Sequence, residues 1–165
     1  MKRGFNKKAQ GIMGLPFSII FSLILIIVFI IFAFIAVNHF IDIGKCSQVG
    51  QFYDSLQKKV DEAWSSQTSN FDFKADVPSG VTRICFANLS ERISNDEDYQ
   101  LLKNYEIYDA NTFIIPVGKA CNMPYKLINH INVTRITETR NPYCIDVSRK
   151  LKIQKDFYDK WVIIS

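Results

Sequence analysis

The sequence predicts an α+β fold, with one long N-terminal transmembrane helix followed by an extracytoplasmic domain in which an amphipathic helix packs on an antiparallel sheet. Three observations support this fold class: an uncharged apolar run, a segment with apolar residues at helical spacing, and several strand-like runs further on. The expected organisation is a basic leader at 1–10, a transmembrane helix at 11–43 and a domain at 44–165, with the amphipathic helix at about 47–64 and a β-rich part at about 70–165.

The first ten residues set the charge balance of the chain. Lys and Arg number 20 against 16 Asp and Glu, and the excess of four is Lys2, Arg3, Lys7 and Lys8. Every acidic residue follows the apolar run. Because basic flanks stay in the cytoplasm, we expect the N-terminus inside and the domain outside the cell. The domain itself is nearly neutral, so it has no basic stripe for phosphates and we expect no nucleic-acid partner.

The apolar run extends from Phe17 to Val37, and its only polar residues are Ser18 and Ser22. As a helix of about 21 residues it would be roughly 31 Å long, which matches the hydrocarbon core of a bilayer. In lipid, every backbone amide must bond within its own segment, so a single span must be helical. A buried helix of a soluble domain is the weaker alternative, because the remaining chain could not enclose it.

The leader has its cleavage-like signal, Lys7-Lys8-Ala9-Gln10, before the apolar run. A secretory signal instead has a small-residue cleavage site after its apolar region. The arrangement resembles the class III signal peptide of type IV pilins and archaeal pilin-like proteins. In that family a membrane peptidase cuts on the cytoplasmic side, and the apolar helix stays on the mature protein.

This resemblance covers about the first forty residues and implies a role for each leader residue. Lys7, Lys8 and Ala9 would be recognised by a prepilin-type peptidase, and Gln10 would become the new N-terminus. The sequence departs from many family members at Gly14, where they have a glutamate. The alternative is an uncleaved signal anchor whose lysines only orient the helix.

A stripe of small residues runs along the start of the apolar helix. Gly11, Gly14, Ser18 and Ser22 are three or four residues apart, and Ala33 continues the same side. Small residues allow close approach of helices in lipid, so we expect this face to pack against like subunits or other single-span helices. Alternatively, the serines bond back to their own helix and the glycines belong to an interfacial loop.

After Gly44 the apolar residues take helical spacing, which predicts the amphipathic helix. Its apolar face contains Val49, Phe52, Leu56, Val60, Ala63 and Trp64. Ser47 is a candidate N-cap. The helix is either separate or a continuation of the span that is broken or bent near Gly44.

The β-rich part begins with alternating residues that predict a hairpin. Phe71, Phe73, Ala75 and Val77 alternate with polar residues, and Pro78-Ser79-Gly80 then turns the chain into a return strand. On that strand Cys85 points opposite to Ile84 and Phe86. Further expected elements are a short helix at Asp96–Tyr105, strands at 111–117 and 127–137, and strands at Cys144–Val147, Leu151–Gln154 and Trp161–Ile164.

All four cysteines follow the apolar run: Cys46, Cys85, Cys121 and Cys144. An even number in an extracytoplasmic domain indicates two disulfides, and three pairings are possible. We favour Cys46–Cys85 with Cys121–Cys144. The alternative is four free buried thiols.

Candidate sites for chemistry are few. Asn88-Leu89-Ser90 and Asn132-Val133-Thr134 match the N-glycosylation pattern, so Asn88 and Asn132 are candidate acceptors. The acidic run at 95–98 lacks the alternating ligands and central glycine of a calcium loop. Cys121, His130 and Cys144 are too irregularly spaced to predict zinc.

An enzyme is not expected. A catalytic triad would have to centre on His130, yet no serine has nucleophile-elbow surroundings and no glycine-rich phosphate loop follows a strand. We therefore expect no cofactor. The predicted function is that of a pilin-like or pseudopilin-like structural subunit at the cell surface. The alternative is an uncleaved single-pass protein whose outer domain binds a ligand or an envelope partner.

Overall fold

The computed structural model describes residues 14–165 except Arg92 and Asn95, with side chains from Ser18 onward except that of Asp96. The predicted leader-processing residues and the first small residue of the stripe therefore lie outside the described residues: Lys7, Lys8, Ala9, Gln10 and Gly11. The contacts within the chain divide it into two units, Met1–Ile43 and Gly44–Ser165.

A single long helix, α1, extends over Gly14–Ser65. It is helical at Gly44, so the amphipathic residues continue the helix of the span, and neither a separate helix nor a break at Gly44 is found. One glycine costs a helix only about 1 kcal/mol relative to alanine, and no proline interrupts the segment around it. Ser47 is no N-cap. Its hydroxyl instead accepts a hydrogen bond from Gln51 Nε2 at 3.4 Å within the helix.

The remaining elements are short strands and helical turns. In chain order they are β1 (Ser69–Lys74), β2 (Arg83–Phe86), α2 (Asp96–Leu102), a 3₁₀ turn (Lys103–Tyr105), β3 (Thr112–Ile115), a 3₁₀ turn (Val117–Lys119), β4 (Tyr125–Lys126), α3 (Val133–Ile136), β5 (Tyr143–Asp146), β6 (Lys150–Lys155) and β7 (Ile163–Ile164). The first sheet has the order β1-β6-β7 and the second sheet the order β4-β3-β2-β5. All the strand pairs are antiparallel, so the predicted α+β class is confirmed.

The predicted hairpin between β1 and β2 is wrong, because the two strands lie in different sheets. β1 pairs with β6, whereas β2 lies between β3 and β5. The turn is present, with Gly80 at φ +92° and Val81 N donating to Pro78 O at 3.2 Å, but it connects the two sheets. The burial patterns differ accordingly: β1 alternates between half-buried and exposed residues, so one face of its sheet is solvated, whereas β2 is covered on both faces.

The strand predicted at 127–137 is also wrong. Only Ile131 forms an isolated bridge, and the residues after it form α3. The Oδ1 of Asn132 accepts a hydrogen bond from Arg135 N at 3.0 Å, so this side chain caps a helix at the point where a strand was expected. The short helix from Asp96, the strand ended by Pro116 and the three C-terminal strands are confirmed.

The second sheet separates two hydrophobic clusters. On one face, Ile84 and Phe86 pack with the buried face of α1 and with the first sheet. On the other face, Cys85 and Phe113 pack with Leu102 at the end of α2. Successive residues of β2 therefore enter different clusters, and this confirms the opposite side-chain directions predicted for Cys85 and its neighbours.

The structure contains two disulfides, but the favoured pairing of Cys46 with Cys85 and of Cys121 with Cys144 is wrong. The bonds are Cys46–Cys121 and Cys85–Cys144. Cys85 and Cys144 are directly opposite each other in the register of β2 and β5, with Cα atoms 4.0 Å apart. Cys46 lies on α1, where the turn that contains Cys121 approaches it to a Cα separation of 5.1 Å. Strand register, which the sequence spacing does not reveal, decides the pairing.

Candidate functional site

The first candidate surface is the part of α1 between Ser18 and Ile43, called here the apolar segment. Every residue in it is exposed, including Phe29 at 69% and Phe40 at 72%. Within the described residues this is the one helix long and apolar enough to cross a membrane, and none of its most apolar stretch is buried by the chain. Contiguous apolar exposure on this scale is unfavourable in water and marks a surface that something else must cover.

The predicted small-residue stripe is only partly described. Ser18 and Ser22 are exposed on the apolar segment and are one helical turn apart. Ala33, about three turns further along, lines a shallow hollow together with Phe34 and Val37. Gly14 is the first residue of α1, and Gly11 lies outside the described residues.

The second candidate surface is formed by Trp64, His130 and Trp161, and is called here the aromatic surface. The rings of Trp64 and His130 are stacked, with centroids 3.9 Å apart and planes 5° apart. The Trp161 ring is near-parallel to the same imidazole, with planes 20° apart and centroids 6.4 Å apart. Trp64 is 42% exposed and Trp161 is 40% exposed. Both tryptophans of the chain therefore present ring surface to solvent around one histidine.

Backbone contacts hold His130 in place beside these rings. Val162 N donates to His130 O at 2.9 Å, and Asn132 N donates to Val162 O at 2.7 Å. His130 has φ +67°, a conformation uncommon for residues other than glycine. Such a conformation persists where surrounding contacts enforce it, and here the parallel bridge between Ile131 and Val162 does so.

Polar contacts join this segment to the end of α1. His130 Nδ1 lies 3.0 Å from Asp61 Oδ1. Gln57 donates to the same carboxylate oxygen at 2.8 Å, and its own side-chain oxygen accepts from Asn129 N at 2.9 Å. These contacts fix the imidazole relative to α1, on which Trp64 lies.

Lys155 on β6 binds backbone carbonyls at the C-terminal end of α1. Lys155 Nζ donates to Trp64 O and to Ser66 O, both at 2.7 Å. A cation at a helix C-terminus satisfies carbonyls that lack helical partners and interacts favourably with the helix dipole. The backbone that carries Trp64 is therefore fixed from a second direction.

Two further contacts attach α1 to the segment that contains β4. Tyr53, which is 1% exposed, donates its hydroxyl to Met123 O at 3.2 Å, and burial raises the pKa of this phenol. Lys126 Nζ lies 2.9 Å from Asp54 Oδ1, and its hydrogen bond and charge lower the pKa of Asp54. Burial is the main effect that raises the pKa of Tyr125, and the neighbouring Tyr108 raises it further.

The residues considered for metal binding do not come together. Cys121 and Cys144 are in different disulfides, so they are not available as ligands beside His130. Asp98, from the acidic run, is 2% exposed and pairs with Arg83 at 2.5 Å and with Arg140 at 3.5 Å. Across 14–165, apart from the residues left undescribed, no group of three His, Cys, Asp or Glu side chains could hold a metal ion.

Both glycosylation candidates are half-buried asparagines in local turns. The Oδ1 of Asn88 accepts from Ser90 Oγ at 2.7 Å, and Asn88 O accepts from Asn141 Nδ2 at 2.7 Å. Asn132 caps α3. In both sequons the carboxamide oxygen is bound to a neighbouring residue, and the use of either site stays a prediction.

Sequence reasoning missed the aromatic surface. It placed Trp64 in the apolar face of α1 and Trp161 in a strand, and it considered His130 only as a ligand or catalyst. The three residues are far apart in sequence, and no local pattern connects them. The one available signal was that the chain has only two tryptophans.

These features define a class: an α+β protein with a long apolar N-terminal helix followed by antiparallel sheets, consistent with a pilin-like arrangement. In comparisons with known proteins, no family model, no curated protein and no solved structure matches the chain.

Proposed function

We propose that the protein is a membrane-anchored structural subunit of the cell surface, pilin-like or pseudopilin-like, that assembles through its apolar N-terminal helix. The observation that carries the proposal is the uncovered apolar segment from Ser18 to Ile43. Lipid and neighbouring helices are the partners that can cover such a surface. No reaction is part of this proposal.

The proposed orientation places the lysine-rich leader in the cytoplasm and Gly44–Ser165 outside. The basic excess before the apolar segment supports it, as does the complete absence of acidic residues there. The two disulfides add support, because disulfides persist in oxidising compartments outside the cytoplasm.

Processing of the leader is tested by mass spectrometry of the N-terminus of full-length protein purified from membranes. A chain that begins at Gln10 is expected if a prepilin-type peptidase recognises Lys7, Lys8 and Ala9. A chain that begins at Met1 or Lys2 would contradict the pilin-like assignment and favour an uncleaved anchor. The matched control is Ala9→Leu, which should block cleavage and leave insertion unchanged.

Lateral assembly is tested by cysteine cross-linking in native membranes. Ser22→Cys places a thiol on the small-residue stripe, and Ile24→Cys places one on the opposite side of the same helix. We expect oxidation to produce far more covalent dimer from Ser22→Cys than from Ile24→Cys. Equal yields, or monomers from both, would count against assembly through this face.

The second candidate function is an anchored protein whose outer domain binds a ligand or an envelope partner. The aromatic surface favours it, because two tryptophans and a histidine are held there in near-parallel planes and exposed. This function is compatible with assembly and depends on a different part of the chain.

A further inference from the structure

We propose that the aromatic surface of Trp64, His130 and Trp161 is a carbohydrate-binding site that stacks a gluco-configured pyranose ring against its indoles. This proposal goes beyond the structural function above, and it does not depend on whether subunits assemble.

The exposure of the two indoles is the first argument. Tryptophan supplies the largest apolar surface of any side chain, and a domain gains free energy by burying it. Here both tryptophans stay about 40% exposed although a packed core lies beside them. Phe157 and Tyr158, on the loop that leads to Trp161, are 61% and 95% exposed. Exposed aromatic side chains that lie together, as Trp64, His130 and Trp161 do, mark a candidate binding site.

The rigidity of the rings is the second argument. His130 is fixed by Asp61 and by a backbone hydrogen bond from Val162 N, Asn132 N donates to Val162 O, and the backbone of Trp64 is fixed by Lys155. The stack therefore exists before any ligand arrives, and binding does not have to order these side chains. Preorganisation of this kind increases affinity because less conformational entropy is lost on binding.

The chemistry around the rings decides the class of ligand. The cores of protein interfaces are usually depleted of charge, whereas the neighbours here include Asp61 and Lys160, whose ammonium lies over the Trp161 ring at 5.4 Å from its centre, so these neighbours favour a polar ligand. A ligand for this surface needs a flat apolar face and a polar edge. A gluco-configured pyranose has both, because its axial C–H bonds face an aromatic ring while its equatorial hydroxyls project outward to charged groups.

The position of the surface is consistent with access to a glycan. Trp64 lies about 30 Å along α1 from Gly44, the residue with which the second unit begins. Within that unit the aromatic surface is therefore near the C-terminal end of α1. In the proposed orientation Gly44–Ser165 lies outside the cell, where surface polysaccharides are found.

The test uses the full-length protein in lipid nanodiscs, prepared without alkyl-glycoside detergents, which would occupy a sugar site. Cellotetraose is the probe, because all its rings are gluco-configured. Since both tryptophans of the chain lie in the surface, the tryptophan fluorescence of the protein reports on it, after subtraction of the signal from empty nanodiscs. We expect a saturable fluorescence change with a Kd on the order of 0.1–1 mM, and saturation-transfer NMR signals from the axial sugar protons.

Variants separate stacking from nonspecific contact. Trp64→Ala and Trp161→Ala should each weaken binding by about tenfold or more, and Trp64→Tyr should restore most of it because an aromatic face returns. Ile107→Ala is the matched control, since Ile107 is 85% exposed and lies in the turn that follows the 3₁₀ turn at Lys103–Tyr105. It should leave binding unchanged.

Two results would overturn the proposal: no saturable response of the wild-type protein to cellotetraose, or binding that Trp64→Ala and Trp161→Ala both leave intact. If Trp64→Ala does not fold, as judged by circular dichroism, the Trp161→Ala variant decides. A negative result would leave the structural function untouched, because leader processing and helix cross-linking do not involve this surface.

Discussion

The two parts of α1 share a backbone conformation but differ in what covers their side chains. From Val49 to Ala63, the apolar residues lie on one face and are buried against the sheets of their own chain. From Ser18 to Ile43, apolar residues surround the helix and the chain covers none of them. The first pattern is typical of a helix on the surface of a soluble domain, with one face buried and the other in water. The second pattern is typical of a helix surrounded by lipid. The regular backbone of α1 therefore does not indicate whether water or lipid surrounds the helix, whereas the distribution of its apolar side chains does.

The largest effect is expected from the disulfide that attaches the buried part of α1 to the domain. Replacing Cys46 and Cys121 together by serine should lower the free energy of unfolding of the domain by about 4 kcal/mol, because the unfolded chain gains the entropy of an open loop. Urea unfolding of the full-length protein in nanodiscs, followed by tryptophan fluorescence, measures this. Peptide mapping without reduction should recover Cys46 joined to Cys121, and recovery of Cys46 joined to Cys85 would disprove the pairing.

A matched pair of leucines tests the contrast within α1 directly. Leu56 is fully buried, so Leu56→Ala should reduce the unfolding free energy of the domain by about 3 kcal/mol through lost burial and a cavity. Leu23 is 54% exposed on the apolar segment, and Leu23→Ala should change the same quantity by less than about 0.5 kcal/mol. Equal losses in the same urea titration would break the distinction between the two parts.

A charged residue placed in the apolar segment tests whether this part of α1 lies in lipid. Ile27→Lys puts an ammonium near the middle of the apolar segment and should cost membrane insertion about 2.5–3 kcal/mol. Gln51→Lys, at an exposed position in the second unit, should cost nothing measurable. The readout is the fraction of protein that stays with membranes after alkaline carbonate extraction. Full retention of Ile27→Lys would argue against a helix that crosses lipid.

The smallest effect concerns pH. The hydrogen bond from Lys126 lowers the pKa of Asp54, so the pair contributes stability above the ordinary carboxyl pKa, and this contribution is lost as pH falls through the lowered pKa. Asp54→Asn should therefore slightly reduce the loss of stability between neutral and acid pH. At neutral pH it should remove only the contribution of the Asp54–Lys126 ion pair. Thermal unfolding at pH 7 and at pH 3 detects the difference, and a larger change in Asp72→Asn would assign it to another pair.

Local signals predicted more of this fold than long-range ones did. The apolar run and the spacing from Val49 predicted helix, and the alternation at Phe71 predicted a strand, because each depends on residues a few positions apart. The partner of that strand is β6, about eighty residues later, and no local pattern encodes such a pairing. A strand was predicted across Asn132, because the hydrogen bond with which its side chain caps α3 forms only once the chain turns there.

The candidate sites also differ in whether the local sequence could predict them. The apolar segment was evident from composition alone, whereas the aromatic surface required the fold to bring Trp64, His130 and Trp161 together. The disulfides were predictable in number, because an even count of cysteines followed the span. Their pairing was not, because it depends on the register of β2 with β5.

The attachment of α1 within the second unit has a mechanical consequence. Cys46 fastens the helix near the start of this unit through a covalent bond, and Lys155 fastens its last carbonyls. We expect a tensile load on α1 to be borne first by the sulfur bridge and only later by apolar packing, which yields at low force. Single-molecule pulling with and without reductant would test this, and identical rupture forces would refute it.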